Sequence, residues 1–200
     1  VVGCPGNFQA LKVTDLGMDS SYDCKRVTAP TRLPLEQVRQ FEKIALAIAK
    51  KIQLKGIMDV EVVLHKNTLK LLEIDARFPS QSPMTVYWST GLNMVKILGN
   101  LFLNKPAADV EKKQNRCVVV EHIRVLGAEI EVLGEHIMAE DGPLTRQPDF
   151  FGSDEAITSF APGKNRWVAT LIFTGKTHEA VARKKHSCYE QIRASANPNS

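Results

Sequence analysis

The sequence predicts an α+β fold, a mainly antiparallel sheet with helices packed on it. Three observations point there. Runs rich in β-branched and aliphatic residues at 56–65 and 69–77 are separated only by the polar Lys66-Asn67-Thr68, the pattern of a hairpin. From Leu35 onward Val38, Phe41, Ala45, Ile48 and Ile52 recur at spacings of three and four, the stripe of an amphipathic helix. Strand-like runs at 117–125, 130–138 and 166–174 then lead to a closing helix at 177–193.

Taken in order, Cys4-Pro5-Gly6-Asn7 is a turn, and Phe8 to Leu16, with Leu11 and Val13 on one face, completes a first hairpin. Residues 17–34 are polar and punctuated by Asp19, Asp23, Pro30 and Pro34, a length expected of a lid or binding loop in which Tyr22 and Asp23 close over a site. After the helix at 35–52 and the hairpin comes a loop over 78–90 holding Pro79, Ser80, Gln81, Ser82 and Pro83. A helix capped by Thr90 follows over 92–103. Residues 194–200 are polar and expected to fray. The division expected is one domain over 1–193, with a first part over 1–105 and an extension over 106–193.

Composition removes several classes. At 44% hydrophobic and 24% charged, with 12 Gly and 10 Pro, the chain is neither disordered, collagen-like nor a coiled coil. No apolar run approaches the about 18 residues of a membrane span, and the N-terminus lacks the basic and apolar regions of a signal peptide, so a soluble cytoplasmic protein is expected. The chain opens on Val inside a strand-like run, which suggests part of a longer protein. A net charge of +4, with Lys112-Lys113 and Arg183-Lys184-Lys185 as the densest basic groups, falls short of the concentrated face of a nucleic-acid binder. The four scattered cysteines contain no C-x-x-C pair and read as reduced structural thiols.

The hairpin carries the chemistry. Strand alternation puts Asp59, Glu61 and Val63 on one face of its first strand, and Leu71, Glu73, Asp75 and Arg77 on one face of its second. A three-residue loop sets Glu61 opposite Glu73 and Asp59 opposite Asp75, so four carboxylates converge. Like charges across a ladder repel, and a divalent cation such as Mg²⁺ would neutralise them, taking one or two carboxylates and completing its shell with water and phosphates. Arg77 adds a planar donor fork for a phosphate or carboxylate. The plain alternative is a solvated strand face, against which Ile57, Val63, Leu69 and Leu71 flanking the acids argue for a cleft.

Glu73-Ile74-Asp75-Ala76-Arg77, with Glu61 twelve positions earlier, resembles the metal-binding signature of the ATP-grasp superfamily, usually Glu-x-Asn-x-Arg, with Asp75 standing where Asn is usual. Tyr22-Asp23-Cys24, the stretches 54–61 and 72–83, and Thr90-Gly91-Leu92-Asn93 are similar to the branch of that superfamily that works in pyrrolysine biosynthesis. The likeness is strong to about residue 105 and fragmentary beyond, where Glu121-His122 is its main trace.

The resemblance implies the C-terminal domain of an ATP-dependent ligase. Its reaction would join the carboxylate of 3-methyl-D-ornithine to the ε-amine of L-lysine through an acylphosphate. It further implies that Glu61, Glu73 and Asp75 hold Mg²⁺ between ATP phosphates and that Arg77 stabilises the transferring phosphoryl group. Asp59, Ser80, Gln81, Ser82 and His122 would face the amino-acid substrates. Missing N-terminal domains would complete the nucleotide clamp, leaving this chain inactive by itself. An ATP-grasp ligase for another amino-acid pair, or a non-catalytic metal- or ligand-binding module of the same fold, are the alternatives.

Other signals fail on spacing. Thr174-Gly175-Lys176-Thr177 ends like a phosphate-binding loop, but the earlier glycine it requires is Thr170. His178-Glu179 begins like a zinc-protease helix, but the second histidine position is Ala182. His186 and Cys188, two apart on a helix, share no face. A lone His122 in an apolar strand reads first as a hydrogen-bonded core residue, and only the resemblance puts it near substrate.

Overall fold

A computed structural model describes residues 1–105 and 114–196. In chain order the elements are β1 (Val2–Cys4), β2 (Asn7–Gln9), β3 (Asp15–Met18), β4 (Cys24–Ala29), α1 (Leu35–Lys51), β5 (Gly56–Ile57), β6 (Asp59–His65) and β7 (Thr68–Asp75). There follow α2 (Ser82–Thr90), α3 (Met94–Phe102), β8 (Cys117–Leu126), β9 (Glu129–Val132), β10 (Thr145–Pro148), β11 (Glu155–Thr158), β12 (Arg166–Gly175) and α4 (His178–Ala196). Short 3₁₀ turns occupy Glu135–Ala139 and Phe150–Gly152. The expected Lys112-Lys113 cluster and residues 197–200 of the expected frayed tail lie outside the described residues, whereas 194–196 belong to α4.

Two compact units divide the chain. The first takes Val1–Thr14 and Pro30–Gln114, and the second takes Asp15–Ala29 and the residues from Asn115 onward.

In the first unit β2, β1 and β5 form a three-stranded antiparallel sheet, and β6 and β7 form a separate hairpin. α1 buries Ala45 and Ala49, and Ala49 packs with Leu54 and Met58. A second cluster gathers Val2, Leu11, Ile57, Val86, Leu92 and Met94. The loop expected at 78–90 is largely α2, because Pro83 falls in the first turn, where its missing N–H is no loss, and Gly91 closes the helix in the left-handed conformation at φ 79°. Thr90 therefore does not cap α3, although its hydroxyl oxygen accepts the Leu92 N–H at 3.2 Å. Its buried hydroxyl donates to the Val86 carbonyl, while the Asn93 side chain caps α3 by accepting from the Lys96 N–H at 3.0 Å.

In the second unit β10, β11, β12, β8, β4 and β3 run in that order, all antiparallel, with β9 pairing beside the far half of β8. Residues 17–34, expected as one long loop, contain β4, whose Val27 and Ala29 are fully buried beside β8. The polar and charged neighbours Lys25, Arg26 and Thr28 hid that strand from the pattern of hydrophobicity. The run expected as one strand over 130–138 breaks after Val132, since Gly134 leads into a 3₁₀ turn. β10 and β11 are strands beyond those expected. On the other side, Val181, Cys188 and Ile192 of α4 pack on Ile123, Val125, Trp167, Leu171 and Phe173, so the odd-numbered residues of β8 and β12 face that helix.

Candidate functional site

β6 and β7 pair as the sequence predicts where it matters: Asp59 stands opposite Asp75 and Glu61 opposite Glu73. The connection is tighter than expected. It is a two-residue turn with both Lys66 (φ 48°) and Asn67 (φ 61°) left-handed, as a twist-matched hairpin turn requires. That turn alone would slip the register by one residue, and a bulge at Leu72, between the Glu61–Glu73 and Val62–Leu71 pairs, restores it. Leu71 consequently pairs with Val62 and leaves the carboxylate face, where it was expected. Leu69, paired with Leu64, leaves that face together with Leu71, and Val63 is 48% exposed, so of the expected apolar flank only Ile57 remains buried.

The four carboxylates differ in environment. Asp59 follows the fully buried Met58 and accepts the Ser82 hydroxyl at 3.3 Å. Burial pushes its carboxyl above the usual range and Asp75 adds to that, against the opposing pull of the Val1 ammonium, Ser82 and Arg77. Glu61 is raised likewise, by burial first and then by Glu73, Asp59 and Asp75. Arg77 donates to Asp75 at 2.6 Å. Beyond the strand Pro79 is buried, Ser80 is exposed, Gln81 is half-buried, and Ser82 begins α2.

This donor set suits a hard divalent cation shared with a ligand. Two cross-strand pairs concentrate negative charge, and Asp59 and Glu61, raised by burial first and by neighbouring carboxylates after it, would gain from a cation beside them. Among the described residues no three His, Cys, Asp or Glu side chains are drawn together to cage a metal unaided. Mg²⁺ does not need such a cage, because water and phosphate oxygens complete its shell.

The remaining candidates belong to the second unit. Tyr22, at φ 59° and 87% exposed, and Asp23 lie in the tight connection between β3 and β4 rather than in a long loop. Asp23 is fastened: its Oδ2 accepts the His136 N–H at 3.0 Å and lies 2.6 Å from His136 Nδ1. Asp19 Oδ2 accepts the Gly134 N–H at 2.8 Å beside it. Burial raises the Asp19 carboxyl, but the backbone N–H groups of Asp23, Gly134 and Ser21 outweigh it and hold the group below its usual value. His122, on the face of β8 away from α4, lies 2.8 Å through Nδ1 from Thr170 Oγ1. Its neighbour Glu121 points the other way, fully buried against Arg26, Lys185 and Tyr189. Sequence reasoning missed Thr170 and Glu135 as companions of His122, because only strand register and a 3₁₀ turn bring them there.

No protein-family model matches the chain. It is similar to a protein of Methanosarcina acetivorans named 3-methyl-D-ornithine–L-lysine ligase, 33% identical over 198 residues that cover 94% of this chain and 49% of that one. The protein of the same name from Methanosarcina mazei is 34% identical over 93% of this chain and 48% of its own. The chain thus spans about half the length of the curated relatives it matches. Among solved structures, a biotin carboxylase complex from Campylobacter jejuni superposes with a TM-score of 0.69 at 13% identity, covering 99% of this chain and 49% of that one. A phosphoribosylglycinamide synthetase from Anaerococcus prevotii gives 0.60 at 13% identity over 89% of this chain and 47% of its own. Both are ATP-grasp proteins, and the likeness establishes the fold: an α+β ATP-grasp domain with a mainly antiparallel sheet.

Proposed function

We propose that the chain is the C-terminal part of an ATP-dependent carboxylate–amine ligase that joins 3-methyl-D-ornithine to the ε-amine of L-lysine, using Mg²⁺. One observation carries the reading: the ladder of Asp59, Asp75, Glu61 and Glu73 with Arg77 on its rim, in a chain one-third identical to two such named ligases over nearly its whole length.

The chemistry asks for two displacements. A substrate carboxylate oxygen attacks the γ-phosphorus of ATP and ADP leaves; the amine nitrogen then attacks the acyl carbon, phosphate leaves, and the nitrogen gives up a proton. Glu61, Glu73 and Asp75 are the donors that would hold Mg²⁺, which when bound offsets the charge of the phosphates. Arg77 hangs on Asp75 by one exposed contact, so its fork is free to swing to a phosphoryl oxygen. Asp59, partly buried and bonded to Ser82, offers a carboxylate to a substrate ammonium. Its raised pKa makes it a better proton acceptor than an exposed aspartate. Ser80, Gln81 and Ser82 supply the short polar groups that an amino-acid head group would meet, on a backbone pinned by buried Pro79 and the start of α2.

ADP release by the chain joined to the remaining half of its relatives' length tests the reading. Release that needs 3-methyl-D-ornithine, L-lysine and Mg²⁺ and is abolished by Glu73→Gln is the expected result, with none from the 200-residue chain alone. Release indifferent to lysine overturns the substrate assignment. Release indifferent to Glu73→Gln overturns the site, and stoichiometric binding without turnover would make the domain a binding module.

A further inference from the structure

His122 is only 5% exposed, and its two ring nitrogens fare differently. Nδ1 has Thr170 Oγ1 at 2.8 Å, directly across on β12, whereas Nε2 is buried and meets no hydrogen-bond partner among the described residues. Leaving a buried polar atom unpaired costs roughly 1–3 kcal/mol, so such atoms are few in native proteins and each calls for an explanation.

The segment laid alongside this part of β8 suggests one. The Leu133 N–H donates to the His122 carbonyl at 3.2 Å, which lays Gly134 and Glu135 alongside β8. Asp19 holds the Gly134 N–H and Asp23 holds the His136 N–H, so the residues on both sides of Glu135 are pinned by carboxylates from the β3–β4 connection. Gly134 is needed for this clasp, since a Cβ there would lie 2.2 Å from Asp23 Oδ2. Thus held, Glu135 is the foremost charge acting on the imidazole, ahead of Asp23 and Glu121. Those two are already engaged, Asp23 by His136 and Glu121 by Arg26, Lys185 and Tyr189.

We propose that His122 Nε2 and the Glu135 carboxylate form a subsite for an ammonium group, with Nδ1–H donating to Thr170 Oγ1 and Nε2 left as the acceptor. An anion is repelled by Glu135 and lacks a donor. A divalent metal asks for more ligands, and no group of three His, Cys, Asp or Glu exists for one among the described residues. An ammonium, with one charge and three N–H donors, matches one neutral acceptor and one carboxylate. Burial favours the neutral imidazole this requires. That the ammonium is one of a diamino acid rests on the ligase reading above; the subsite itself does not.

The test is nitrogen NMR of the His122 ring in the 200-residue chain. Expected are an unprotonated Nε2 in the free protein, a shift of that resonance on titration with D-ornithine or L-lysine, no shift with L-norleucine blocked at its α-amine, and binding weakened about tenfold or more by Glu135→Gln. A protonated Nε2, a resonance that neither amino acid moves, or undiminished binding to a folded Glu135→Gln variant overturns the proposal. Glu73→Gln separates the two readings: it should leave this titration unchanged while abolishing ADP release. A positive titration beside lysine-independent ADP release would retain the ammonium site and discard the ligase substrates.

Discussion

Glu61 stands opposite Glu73 because the bulge at Leu72 cancels the one-residue shortfall of the Lys66-Asn67 turn. Two deviations from a regular hairpin thereby keep four carboxylates on one face, at the expense of repulsion between them. Like charges directly across a ladder typically destabilise by roughly 0.2–1 kcal/mol, so Glu73→Gln is expected to raise the melting temperature in EDTA. Added Mg²⁺ should stabilise the parent protein and do less for the variant. Thermal melts of both, with and without Mg²⁺, check this, and an unchanged Mg²⁺ response in the variant would remove Glu73 from the metal site.

Asp59 and Glu61 carry a pH signature. Burial raises both above their ordinary values of 3.8 and 4.5, so the folded protein binds protons more tightly than the unfolded chain. Their penalty is absent below those ordinary values and grows as pH rises through the raised ones. Asp59→Asn should therefore match the parent at the acid end and become the more stable of the two toward neutral pH, by roughly 0.5–2 kcal/mol, while losing ligase activity. Urea titrations across that range measure the difference.

His122 predicts the opposite slope. Burial lowers its pKa despite the acids Glu135, Asp23 and Glu121 around it, so the unfolded chain binds the proton more readily. Its contribution is intact above the ordinary value of 6.5 and is lost as pH falls from there toward the lowered value. His122→Gln should flatten the stability profile in that window, and a profile unchanged by the substitution would mean that the ring is not buried neutral.

Glu121 is a structural charge. With its carboxylate fully buried against Arg26, Lys185 and the Tyr189 hydroxyl, Glu121→Gln should cost roughly 3–5 kcal/mol in urea unfolding by stranding its cationic partners. Tyr189→Phe removes one neutral donor and should cost less, roughly 1–3 kcal/mol.

The hairpin turn holds two non-glycine residues at positive φ, Lys66 and Asn67. Replacing the pair by Asn-Gly, the favoured chemistry for that conformation, should stabilise by about 1 kcal/mol and leave the ladder register unchanged. A loss of Mg²⁺ response in that variant would show that the turn sets more than the local fold.

Much of the site was legible in the sequence and part was not, for a physical reason. Alternation at period two fixes which residues of a short strand share a face, so Asp59, Glu61, Glu73 and Asp75 could be brought together on paper. The bulge was invisible, since nothing in Leu71-Leu72 marks which leucine is skipped, and with it went Leu71, assigned to the wrong face. α2 reads as a loop because Pro79, Ser80, Gln81, Ser82 and Pro83 look like turn residues, although Pro83 merely begins a helix.

By itself the sequence determined the acidic hairpin, α1, β8, β12 and α4, all elements whose hydrophobic period is strong and whose partners lie nearby or across a simple ladder. Only the tertiary structure decided that β4 enters the large sheet, that Glu121 is neutralised from β4 and α4, and that His122 meets Thr170 and lies within the field of Glu135. These contacts join residues far apart in the chain. The free energy that selects them comes from burial and from pairing polar groups that water has left, and it acts only once the sheet has assembled.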